Sequence, residues 1–297
     1  MPPSQPSLPR THSLHTQHER SFDQNRFVYP VLSRRSQGIS IGINLNPNKV
    51  CNFDCIYCQV DRRSESETKF VETESMLAEL EGMLELTTSG QLYQTEKFQA
   101  TPPELRRLND MAFSGDGEPT TYRNFDDIVS ACAALKRQFG LDEVKMVLIT
   151  NASMFHRPQV QRGLEVLAEN QGEIWAKLDA GTSDYYHFID RTRIPFDRIL
   201  NNITNVAKER PLVIQSLFMK VENEPPSLAE QHAYCDRLNE IQNEGGQIKY
   251  VQLYTVARRP AESFVSPLED DELDRFATLV QERTSLQVET FYGRKTD

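Results

Sequence analysis

The chain has 297 residues, with 33 Lys and Arg against 43 Asp and Glu, a formal net charge of −10. Its 38% hydrophobic and 26% charged residues suit a soluble globular protein and exclude collagen, a disulfide-stapled miniprotein and disorder throughout. The acidic balance argues against a protein that coats nucleic acid by charge alone. No uninterrupted apolar run approaches the roughly 18 residues of a membrane span, so no membrane association is expected. The N-terminus lacks the apolar stretch of a secretory signal, which makes the cytoplasm, with its reduced thiols, the expected setting.

Residues 1–25 are rich in Pro, Ser, Gln, His and Arg and carry no apolar periodicity. They are expected to form a disordered or peripheral arm, with a single domain over residues 26–297. His12, His15 and His18 recur at spacings of three, but nothing around them would hold a helix, so a polar tail is the simpler reading. Next comes a basic stretch, Ser33-Arg34-Arg35-Ser36, leading into Ile41-Gly42-Ile43-Asn44.

From residue 39 onward short aliphatic and β-branched runs predict strands over 39–45, 111–114, 144–150, 174–179, 212–219 and 250–256. Helical spacing predicts helices over 73–85, 125–139, 159–169, 196–208, 228–244 and 268–282, with a last strand at 288–292. Such alternation implies βαβ units, hence a parallel sheet with helices outside it. Six units fall short of the eight of a closed barrel, so the expected fold is an α/β partial (β/α)6 TIM-like barrel. Its ligands should bind at the carboxyl ends of the strands, on the loops that follow them.

The loop after the first of these strands reads Cys51-Asn-Phe-Asp-Cys55-Ile-Tyr-Cys58. Three thiolates crowded on one loop repel one another unless a cation holds them. Structural zinc and ordinary iron–sulfur clusters want four protein ligands. Cys132 and Cys235 fall in predicted helices far along the chain and read as small buried residues. Three ligands on a four-iron cluster leave one iron open to a small molecule. A disulfide, or a zinc site completed by a distant Cys or His, are the competing readings.

At these residues the chain resembles the radical S-adenosylmethionine (SAM) superfamily, whose signature is C-x3-C-x-aromatic-C, with Tyr57 at the aromatic position. The resemblance implies a [4Fe-4S] cluster on Cys51, Cys55 and Cys58, with the amino and carboxylate groups of SAM on the open iron. It also implies reductive cleavage of SAM to a 5′-deoxyadenosyl radical that abstracts hydrogen from a substrate. The second strand runs into Gly115-Asp116-Gly117-Glu118-Pro119, similar to the superfamily's G-G-E-P motif, which holds the SAM amino group. Asp116 stands where that motif has glycine. Without a ligand, the same residues describe a strand-to-helix turn.

Asn151, at the third strand's end, is either a turn former or a neighbour of SAM. Lys177 and Asp179, two apart on the fourth strand, share a face; inside a barrel they would be a buried pair or a SAM-ribose or substrate contact. Arg258 and Arg259 follow the sixth strand and could clamp a carboxylate or phosphate. Residues 28–292 together resemble iron–sulfur oxidoreductases related to the tRNA wyosine-base synthases. The expected activity is that of a radical SAM enzyme with SAM as partner, a reductant such as flavodoxin or ferredoxin, and an unidentified substrate, RNA among the candidates. Arginines 34, 35, 62, 63, 258 and 259 could grip a few phosphates. No catalytic residue beyond the cofactors is singled out. A zinc-stabilised binding module and a cluster-bearing redox sensor are the contrasting expectations.

Overall fold

The computed structural model describes residues 22–293, apart from 34, 63 and 67. His12, His15, His18, Arg34 and Arg63 lie outside the described residues. The first strand, β1 (Val28–Ser33), turns back into β2 (Gly38–Ile43), and the two pair antiparallel. Then follow α1 (Thr73–Thr88), β3 (Leu108–Phe113), α2 (Phe125–Gln138), β4 (Lys145–Thr150), α3 (Pro158–Ala168) and β5 (Gly172–Lys177). Two helices, α4 (Ser183–Asp190) and α5 (Phe196–Glu209), precede β6 (Leu212–Leu217). The chain closes with β7 (Met219–Val221), α6 (Leu228–Asn243), β8 (Ile248–Tyr254), β9 (Val265–Pro267), α7 (Asp270–Thr284) and β10 (Val288–Phe291).

The sheet order is β1-β2-β3-β4-β5-β6-β8-β10, with every pair after the first parallel; β7 and β9 form a separate antiparallel pair. Six parallel strands lead into helices, as the sequence alternation requires. The sheet curls into a half-barrel with β1 and β10 as free edges. Residues alternate across it with period two. Ile41, Ile43, Met111, Phe113, Met146, Leu148, Ile174, Ala176, Leu212, Ile214, Val251 and Leu253 face outward into the main core beneath the helices. The inner positions Ala112, Val147, Trp175 and Val213 form a second, small apolar cluster. Their inner-face neighbours Ser40, Asp110, Lys177, Gln215 and Tyr254 line an open cavity. Parallel strands buried on both faces are apolar throughout; these alternate because the concave face is a polar pocket wall.

Four elements were not expected from the sequence: β1, α4 and the short antiparallel pair of β7 and β9. β1 carries Pro30, which has no N–H for a ladder, and edge position makes that tolerable. α4 has only eight residues, four of them aromatic or His, and is started from outside itself. Thr182 Oγ1 accepts from the Tyr185 N–H at 3.3 Å, and Glu230 of α6 accepts from the Gly181 N–H at 2.5 Å and the Thr182 hydroxyl at 2.6 Å.

Candidate functional site

A cavity of about 320 Å³ fills the mouth of the half-barrel. Cys51, Cys55 and Cys58 line it, together with Tyr57, Gly115, Asp116, Gly117, Glu118, Asn151 and Lys177. The chain thus brings the motifs of four separate segments onto one surface. Pro119 and Asp179 are buried just outside that lining. Cys132 and Cys235 are fully buried in the core beneath the helices, away from the cavity, so neither offers a fourth thiol.

The cysteine loop is held by the end of α4. The last carbonyls of a helix have no partner within it; here the Ile189 carbonyl accepts from the Ile56 N–H at 2.8 Å and the Asp190 carbonyl from the Asp54 N–H at 3.0 Å. Arg191 ends the helix in the left-handed region at φ 44°. On the other side, Asn52 donates to Ser153 Oγ at 2.7 Å and accepts from Asn151 Nδ2 at 2.8 Å, which ties the loop to the end of β4. Asn151 Oδ1 also accepts from the Ser153 N–H at 3.1 Å, so the turn role and the site role of Asn151 coexist.

The loop after β3 packs directly on this assembly. A Cβ at Gly117 would collide with the Val50 carbonyl, and one at Gly115 with the side chain of Asn44. Asp116, the departure from the glycine pattern, is matched by Asn44 at the end of β2: its N–H donates to Asn44 Oδ1 at 3.1 Å and its carboxylate accepts from Asn44 Nδ2 at 2.7 Å. Glu118 is buried, with Oε1 accepting from Thr150 at 2.6 Å and from the Thr120 hydroxyl and N–H. Its Oε2 accepts from the Asn151 N–H at 2.7 Å. Burial raises its pKa, and these donors work against that rise. Glu118 therefore clasps the ends of β3 and β4 while facing the cavity.

Tyr57 joins the Cys55 thiol to a pair of carboxylates. Its hydroxyl donates to Asp179 and lies 3.1 Å from Asp190 Oδ1. Burial, then these two carboxylates, pushes the phenol pKa well up, so it stays a donor. Burial and Asp179 also raise Asp190, to about 7. Asp179 accepts from Lys177 Nζ at 3.0 Å and from the Leu217 N–H at 2.7 Å. Lys177 also donates to the Tyr254 hydroxyl at 3.0 Å. Burial disfavours its charge, but Asp179 and Tyr254 outweigh burial and hold the ammonium above the usual lysine range. The pair expected from the fourth strand is thus a buried ion pair whose lysine still reaches the pocket.

Of the paired arginines after β8, Arg258 lines the cavity, while Arg259 is exposed and does not. Two others join Arg258. Arg35 enters from the β1–β2 turn, and Arg62 lies beside the thiols and donates to the Phe53 carbonyl at 2.9 Å. Burial works against the charge of Arg62, and Cys58 and Cys51 more than restore it. Burial raises the thiols of Cys51 and Cys55, so binding a metal there must displace protons. The sequence reading missed Asn44, Asn52, Asp190, Gln215 and Tyr254. Polar residues at alternate positions of otherwise aliphatic strands were the available signal for Gln215 and Tyr254.

Residues 45–226 match the family described as the radical SAM superfamily. A protein named GTPase Obg from Brachyspira hyodysenteriae is 24% identical over 268 residues, 89% of this chain and 35% of that protein. A UPF0026 protein of Helicobacter pylori is 26% identical over 255 residues, 82% of this chain and 70% of that protein. A second, from strain J99, is 28% identical over 139 residues, 46% of this chain and 38% of that protein. The chain therefore spans little more than a third of the length of two of these relatives. The solved structure of TYW1 with a lysine–pyruvate adduct bound matches with a TM-score of 0.52 at 18% identity, covering 85% of this chain and 75% of that one, a likeness of fold.

Proposed function

The chain belongs to the radical SAM superfamily, and from that premise we propose that Cys51, Cys55 and Cys58 hold a [4Fe-4S] cluster at which SAM is cleaved reductively. When bound, cluster and SAM supply a 5′-deoxyadenosyl radical for hydrogen abstraction from a substrate. The observation that carries this reading is the convergence of three thiols with the Gly115–Glu118 turn and the β4 end on one cavity. The donor set fits. Among the described residues it offers three soft ligands and no fourth, and no three His, Cys, Asp or Glu side chains are placed to share a single ion. That arrangement suits ligands to separate irons better than a mononuclear zinc site.

In this reading the α4 carbonyls and Asn52 fix the thiol positions, and Gly115 and Gly117 let backbone approach the ligand closely. Glu118 Oε2, with one donor so far, has room to accept from the SAM ammonium. Asn151 and Lys177 bound the space for the nucleoside, and Tyr57 with Asp179 holds Lys177 in place. An external reductant of flavodoxin or ferredoxin type completes the system. One domain over residues 26–297 is part of the same proposal.

Among the described residues Lys177 is the single lysine lining the cavity. Asp179 keeps it protonated, the wrong state for a nucleophilic amine. This favours radical chemistry without a Lys177 adduct. Anaerobic reconstitution with iron and sulfide, then dithionite and SAM, should yield 5′-deoxyadenosine. Cys55→Ala should abolish it while leaving the protein folded. Zinc retained after native purification, with no cluster on reconstitution, would sink the reading.

A further inference from the structure

Arg35 differs from every other cation on the cavity wall. Lys177 has Asp179, Arg62 has the Phe53 carbonyl and Asp54 at 3.8 Å, and Arg258 has contacts of its own. Arg35 makes no hydrogen bond or ion pair with a described residue. Its guanidinium lies 4.5 Å from the centre of the Tyr254 ring and 6.0 Å from that of Trp175. Asp110 lines the same cavity, but its carboxylate accepts from the Ser40 hydroxyl and forms no ion pair with Arg35. Burial pulls the Arg35 pKa below the ordinary value, with only Tyr254 acting the other way.

Arg35 is half-buried on the cavity wall, and a cation held there with no counter-charge is costly; such groups are paired as a rule. Stacking on an aromatic face uses the plane of the guanidinium and leaves its N–H edges directed outward. Those edges form a fork that fits two oxygens of a carboxylate or a phosphate. The position is equally specific. Arg35 lies between the end of β1 and the start of β2, at the amino end of the parallel strands. The cysteine loop and the Gly115–Glu118 turn lie at their carboxyl ends. From there the Arg35 side chain reaches up the cavity wall to Tyr254, the last residue of β8, whose hydroxyl accepts from Lys177.

We propose that Arg35 holds the oxyanion of the substrate, a carboxylate or a phosphate, on the cavity wall over Tyr254 and beside Trp175. The identification of the anion as substrate rests on the radical SAM reading of the cavity; the anion site itself does not. Trp175 is the chain's single tryptophan, so its fluorescence reports on this part of the cavity directly. The full chain is titrated with inorganic phosphate and, separately, with acetate, both before and after anaerobic reconstitution.

A saturable change with at least one anion is expected, and the tighter of the two names the source of the charge. Arg35→Leu should weaken binding about tenfold or more, equivalent to about 1.4 kcal/mol. Arg35→Lys, which keeps charge without the fork, should fall between, and it serves if the leucine variant does not fold. Arg259→Gln, exposed and off the cavity, should bind as the wild type does. No saturable response in the wild type, an unchanged titration in both Arg35 variants, or equal loss in Arg259→Gln would overturn the anion site. Loss of anion binding on adding SAM to the reconstituted protein would hand Arg35 to the SAM carboxylate and overturn the substrate assignment. A normal titration in a protein that fails to cleave SAM would leave the anion site standing and remove the radical SAM reading.

Discussion

Lys177 is the residue through which three elements meet. Its ammonium joins Asp179 at the end of β5 to Tyr254 on β8, and it lies 5.1 Å from the ring centre of Tyr57 on the cysteine loop. Removing one member of a buried pair leaves the other charge uncompensated, at a cost of about 3–5 kcal/mol. Asp190, a second carboxyl on the same tyrosine, makes the local balance more negative still. Lys177→Met should therefore lower stability by about that amount in urea unfolding, and adding Asp179→Asn should recover much of the loss. Equal stability of the wild type and the single variant would show that the pair carries no weight. The sequence placed Lys177 and Asp179 on one face by their spacing, but it could not show that Tyr57, about 120 residues away, closes the set.

The cysteine loop is held in place by the elements around it. Its backbone donors end on the last carbonyls of α4, and Gly117 lies against the carbonyl of Val50, next to Cys51. A methyl at position 117 has nowhere to go, so Gly117→Ala should push the two loops apart. The expected result is a lower iron content after reconstitution, together with a stability loss of about 1–3 kcal/mol, as for overpacking elsewhere. Full iron loading and an unchanged melting temperature would mean that the loops move freely.

Strands and most helices were legible in the sequence because their periodicity is local. The helix α5, with Ile199, Ile203 and Val206 buried along one stripe, needs no distant partner to be recognised. The helix α4 was not legible: it begins at a threonine cap braced by Glu230, more than 40 residues on. β1 escaped because Pro30 argues against a strand until the edge position is known. These two elements are the ones that carry the cysteine loop and Arg35 to the cavity.

The half-barrel as a whole sets one face against solvent-free helices and keeps the other polar. Asp110 is a buried acid on that inner face. Burial raises its pKa from 3.8 to about 6; the hydroxyls of Ser40 and Ser36 and the charge of Lys145 oppose the rise, and Glu173 adds to it. The folded chain thus keeps a proton that the unfolded chain releases at lower pH. The resulting stabilisation is complete below about pH 4 and is lost as pH rises through about 6, a change of about 3 kcal/mol at most. Asp110→Asn has no such proton, so its stability relative to the wild type should increase between pH 4 and pH 7 in urea unfolding. Parallel pH profiles for the two proteins would show that Asp110 titrates normally. Among the described residues no helix is long and apolar enough to cross a membrane.

By itself the sequence determined the order of the main strands and helices, the three cysteines, and the place of the glycine-rich turn after a strand. All of these rest on spacings shorter than about a dozen residues, over which backbone geometry alone dictates what can share a face or a loop. Only the tertiary structure decided which polar groups cancel and which are left to a ligand. It paired Asp116 with Asn44 and Lys177 with Asp179, and it spread Glu118 over two strand ends. Arg35 was left with aromatic faces and no anion. Charges are counted along a chain, but they are satisfied across space, and only the fold brings the counter-charge or withholds it.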